Sequence, residues 1–165
     1  MYRLIGFEHI GLENLVLPEK LADRVLYNPD GVDFAQRIRL QLENGSAIDA
    51  IPVIYAKHPG YQPDVRSFFG YVEFNLYQIE AADSSAWRVI TADDGYSSTL
   101  HLNEIPDFFR QIKDNTGYII HPDEVLADNF AFLMRAQNKP SANDRFSEEG
   151  KKLIADMEAV LKGEK

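Results

Sequence analysis

The chain has 165 residues, 45% apolar and 26% charged, which is ordinary globular composition and enough to bury a sizeable core. Its net charge of −9 argues against a nucleic-acid partner or an anionic membrane surface, both of which need basic patches. With no cysteine there is no disulfide, thiol nucleophile or thiolate metal site, and no apolar run reaches membrane-spanning length. The opening MYRLIGFEHIG does not look like a signal peptide, so a soluble protein is expected, in a compartment the sequence leaves open.

In chain order, residues 2–7 read as the last turn of a helix stopped by Gly6. Leu15, Val16 and Leu17 form a short strand that closes at Pro18, and LPEKLADR gives one or two helical turns. NPDG at 28–31 is a strong turn signal. Over 34–42, Phe34, Ile38, Leu40 and Leu42 alternate with Arg37, Arg39 and Gln41, the period of a half-buried strand. Asn44-Gly45 predicts a hairpin turn, and 48–55 the returning strand, where Pro52 argues for an edge position or a bulge. Residues 57–67 form a loop with two prolines and a glycine.

A long strand is expected over 68–80, aromatic on both faces and so covered on both. A shorter strand follows at 87–90 after a polar turn at 82–85, then a turn at Asp93-Asp94-Gly95 and a last short strand at 100–102. Asn103 is placed to cap a helix running to about Asp114, with Ile105, Phe108, Phe109 and Ile112 on its apolar side. A polar linker over 138–144 leads to an amphipathic helix over about 147–162, carried by Leu153, Ile154, Met157, Val160 and Leu161. The expected fold is α+β in one domain. Residues 1–102 are mainly β, with an antiparallel sheet of about four strands, 103–137 are helical, and 145–165 hold the C-terminal helix.

The stretch richest in chemistry is 116–134, TGYIIHPDEVLADNFAFLM. An apolar extended run, Tyr118-Ile119-Ile120, turns at His121-Pro122 into a helix with proline at its first position, where a missing N–H costs nothing. Asp123 and Glu124 oppose the positive end of the helix dipole. From Val125 to Met134 the helix is apolar nearly all round, as expected of a buried helix. Glu124 and Asp128 nevertheless share one face, and two sheltered carboxylates one turn apart call for a cation opposite them.

HPDEVLADNF within this run resembles the glutamate helix of gluzincin-type zinc metallopeptidases. The resemblance extends, less sharply, over about residues 2–135, through IGFEHIGLENLVLPEKLADRVLYNPD and the Asn44-Gly45 hairpin. It implies that Glu124 is the third zinc ligand and that Asp128 accepts a hydrogen bond from the far nitrogen of a zinc-bound histidine. His121 is the other nearby ligand candidate. A zinc cofactor and a peptide or protein substrate are implied likewise. The chain departs from the family in having no HExxH: its histidines are His9, His58, His101 and His121, and no two stand at i, i+4. Residues 1–7 look like the segment just downstream of such a helix, so the chain is expected to be the C-terminal part of a metallopeptidase-like protein, without hydrolytic activity alone.

Simpler roles stand beside these. Glu124 can be a dipole partner alone, Asp128 an ion-pair partner of Arg135 or Arg110, and His121 a cap. An α+β domain that binds a protein or peptide and has lost its metal is the alternative function.

Overall fold

The computed structural model of the chain describes residues 1–27, 35–82 and 86–164. The turn expected at 28–31, Phe34 and residues 83–85 of the following turn lie outside them. The class is α+β. The sheet is mixed and, among the described residues, has six strands: β1 (Phe7–His9), β2 (Leu15–Val16), β3 (Gln36–Gln41), β4 (Ala47–Ala56), β5 (Val72–Ala81) and β6 (Trp87–Val89). They lie in the order β1-β3-β4-β5-β6-β2, antiparallel except for β2 beside β6. This corrects the expectation of about four antiparallel strands. β1 is too short for alternation to announce it, and its partner β3 lies far along the chain.

The two edge strands are close neighbours in sequence. Five flat inter-strand spacings would part them by roughly 24 Å, whereas the step from His9 to Leu15 reaches at most about 21 Å. The sheet must therefore curl. Its inner side is marked by Arg37 of β3, whose guanidinium lies 4.9 Å from the ring centre of Trp87 on β6.

Among the described residues five helices accompany the sheet: α1 (Glu19–Ala22), α2 (Phe68–Tyr71), α3 (Pro106–Ile112), α4 (Pro122–Asn138) and α5 (Glu148–Leu161). On the outer face, Phe108 and Ile112 of α3, Val125 of α4 and Leu153 and Met157 of α5 pack on Phe7, Ile38, Leu40, Ala50 and Leu76. On the inner face, Leu21 of α1 joins Ile51, Val53, Tyr55, Tyr77, Ile79 and Val89. The half-buried alternation of β3 is as expected, with Ile38 and Leu40 buried beneath the helices and Arg39 and Gln41 exposed. Asp107 ties α3 to this strand, its carboxylate accepting from the Gln41 N–H at 2.8 Å.

Several expectations are corrected. Pro52 lies in a central strand; the β3 ladder ends at Ala50, so its missing N–H falls where that pairing has stopped. Phe68 and Phe69 belong to the one-turn helix α2, 65% and 75% exposed, and the strand begins only at Val72. Residues 102–104 form a 3-10 turn in place of a strand, and α3 starts at Pro106 with Ile105 at its cap, not Asn103. Residues 2–5 are a 3-10 turn, closed by Gly6 at φ 80, a conformation glycine adopts without a Cβ clash. The 138–144 linker contains a further 3-10 turn, Pro140–Asn143. Among the described residues, no helix is long and apolar enough to cross a membrane.

Candidate functional site

The candidate site is the first half of α4. Its start follows from local chemistry. His121 is extended at φ −155 and ψ 148, Pro122 takes the first helical position, and the His121 Nδ1 accepts the Asp123 N–H at 3.2 Å. The ring is 1% exposed. Because Nδ1 accepts that backbone proton, its lone pair serves the helix and is not offered to a metal. Asp123 in turn accepts from the hydroxyl of Tyr2, which ties the N-terminal turn to the head of α4.

The helix is not buried all round, contrary to the expectation from its composition. His121, Val125, Asn129 and Leu133, spaced by four, form the inward row. Phe130 and Met134 face outward, 44% and 42% exposed, and Ala127 is exposed beside them. Glu124 and Asp128 lie along one flank of that outward side, each half-buried. They are indeed on one face, but they are not enclosed.

Their surroundings differ. Asp128 accepts from the Thr116 hydroxyl, and Thr116 Oγ1 accepts from the Tyr118 N–H at 2.9 Å, so a threonine turn in the preceding loop fixes the carboxylate. Arg135 and Arg110 do not pair with Asp128: Arg110 pairs with Asp107 at 3.2 Å, and Arg135 lies 5.9 Å from the Phe132 ring centre. Among the described residues no hydrogen bond or ion pair engages the Glu124 side chain.

Beneath the acids, α4 is held by a buried amide network. Asn129 Nδ2 donates to the Val125 carbonyl at 2.7 Å. Asn115 Nδ2 donates to Asn129 Oδ1 at 2.6 Å and to the Gly150 carbonyl of α5 at 2.8 Å. Sequence reasoning missed Thr116, Asn115 and Asn129. One signal was there for Asn129, a polar residue eight positions after His121 and four after Val125, in the row that proved to face inward.

The remaining histidines do not join the acids. Among the described residues no three histidine, aspartate or glutamate side chains gather as a metal-holding group. Glu124 and Asp128 alone do not fit a catalytic zinc, which takes three protein ligands and a water. No protein-family model, no curated protein and no solved structure matches the chain.

Proposed function

We propose that this chain supplies the glutamate helix of a zinc-peptidase-like centre, with Glu124 as one ligand and Asp128 as the acceptor behind a zinc-bound histidine. The histidine ligands come from a helix outside this chain that lies on the outward side of α4. One observation carries this reading: Glu124 stands half-buried and without a cation among the described residues, beside an exposed apolar strip of Ala127, Phe130 and Met134. A carboxylate in that setting gains from a positive partner, and the strip suits a packed neighbour better than water. The resemblance of HPDEVLADNF to the gluzincin glutamate helix adds to it. The chain alone is expected to be without hydrolytic activity, because Glu124 and Asp128 by themselves do not supply the three protein ligands of a catalytic zinc.

The test starts from the DNA ahead of Met1, which should contain an in-frame HExxH. A protein made with that segment should bind one zinc per chain, measured by elemental mass spectrometry. Glu124→Ala should abolish the binding, and Asp128→Ala should weaken it roughly 10- to 100-fold. Absence of such a segment, or zinc binding indifferent to Glu124, defeats the proposal. The second reading is a metal-free domain that binds a protein or peptide. It draws on the exposed pair Phe68 and Phe69, whose ring centres are 5.8 Å apart, and it predicts no zinc-dependent change in melting temperature in either protein.

A further inference from the structure

The inner face of the sheet, opposite the one that packs on α4, carries a second polar constellation. Tyr55 of β4 is paired directly across from Glu73 of β5, so the two side chains rise from the same face. Two residues on, Asn75 shares that face, and its amide donates to Glu73 Oε1 at 3.2 Å. Tyr77 follows, fully buried, with its hydroxyl donating to the Tyr96 carbonyl at 2.7 Å. Tyr55, Lys57, Glu73, Asn75, Tyr96 and His101 contribute to the lining of a cleft of about 300 Å³.

The cleft is electrostatically incomplete. Glu73 is half-buried, and none of the ion pairs among the described residues includes it. Its hydrogen-bond donors among them, the Asn75 amide and the Tyr55 hydroxyl, are both neutral. The Tyr55 hydroxyl is held above the usual tyrosine range, by burial first and by the Glu73 charge next. The same wall already accepts a cation elsewhere: the Arg24 guanidinium lies 3.9 Å from the centre of the Tyr96 ring.

We propose that this cleft binds the head of a small alkylammonium or alkylguanidinium ligand. The cationic head meets the Glu73 carboxylate, and the apolar stem lies against the Tyr55 and Tyr96 rings. Lys57 stands in the same lining and opposes the ligand's charge, so its removal should strengthen binding. The site is independent of α4 and of zinc.

The experiment is an NMR titration of the intact chain with n-butylammonium, butylguanidinium and, as the control of opposite charge, butyrate. Saturable shifts are expected with both cations, centred on residues 55, 73–75 and 96–101, and none with butyrate. Glu73→Gln should weaken cation binding about tenfold or more, the value of a charge-assisted hydrogen bond, while its spectrum stays dispersed. Lys57→Gln should tighten it. Tighter binding of a capped lysine than of butylammonium would assign the ligand to a basic side chain of a peptide; equal or weaker binding would assign it to a free amine. No saturable shift with millimolar cation, equal binding of butyrate, unchanged affinity in Glu73→Gln, or no gain in Lys57→Gln overturns the proposal.

Discussion

Replacing Gly150 by alanine should destabilise this protein, although alanine is the better helix former. Gly150 sits in the first turn of α5, where its N–H is capped by Ser147 Oγ at 3.0 Å. In an unencumbered helix the substitution would stabilise by about 0.5–1 kcal/mol. Here a Cβ would stand 2.0 Å from Asn115 Oδ1 and 2.8 Å from Asp114 Oδ1. Asn115 cannot swing aside cheaply, because it is buried and bonded to both Asn129 and the Gly150 carbonyl. Losing those two bonds costs about 0.5–1.5 kcal/mol each, and more if the amides stay buried and unmade. Set against the propensity gain, the net expectation is a loss of about 0.5–2 kcal/mol. In a chain of this length that lowers the melting temperature by about 2–4 °C per kcal/mol. Urea unfolding of Gly150→Ala, Asn115→Ala and the double mutant closes the cycle. In the Asn115→Ala background the contact with the buried amide is gone and only the exposed Asp114 carboxylate must shift, so adding Gly150→Ala should recover part of the propensity gain, with coupling of about 2 kcal/mol. A neutral or stabilising Gly150→Ala in the otherwise unchanged chain would refute the steric reasoning. The consequence reaches the candidate site, since Asn115 is the bolt between α5 and the helix that carries Glu124.

Two other outcomes follow from the structure. His121→Ala should lose about 2 kcal/mol or more in thermal or urea unfolding, from the missing cap and the space left by a buried ring. His121→Asn, which keeps a cap acceptor, should lose less, and equal losses would remove the cap as the cause. Asp94 accepts from the Ser97 hydroxyl and from the Ser97 and Tyr96 N–H groups, and Asp114 accepts from the Ser147 hydroxyl; both carboxyls are held below the usual range. A carboxylate whose folded value lies below its unfolded one stabilises the fold at pH above the unfolded value, near about 4. That contribution is lost as pH falls through the folded value. Stability of Asp94→Asn and Asp114→Asn, followed by denaturant titration at successive pH values, should therefore fall less steeply below about pH 4 than that of the parent. Equal slopes would refute the assignment.

The zinc proposal depends on α4, and the sequence was most informative there about where the helix starts and least informative about which way it faces. His121, Pro122, Asp123 and Glu124 announce the start because capping and proline placement are decided within one turn of chain. The inward side was not legible. Val125, Phe130, Leu133 and Met134 are all apolar, yet only Val125 and Leu133 are buried. Composition cannot distinguish an apolar residue in a core from one left bare beside it. The cation expected opposite Glu124 and Asp128 was likewise a matter of neighbours. The structure gives Asp128 the hydroxyl of Thr116, a residue in the same quoted run whose role depends on how the loop folds back.

By itself the sequence determined the α+β class, the alternating strand β3, the Asn44-Gly45 hairpin, the proline-led start of α4 and the amphipathic α5. Each is written in turn chemistry, caps or a period of two or 3.6, which act over a few residues. Tertiary structure alone decided that β4, despite Pro52, is central, that 68–71 coil into a helical turn, and that the sheet curls. It also decided that Tyr55 meets Glu73 across a ladder. These outcomes join residues many positions apart, and pairing between distant strands depends on the packing of the whole sheet.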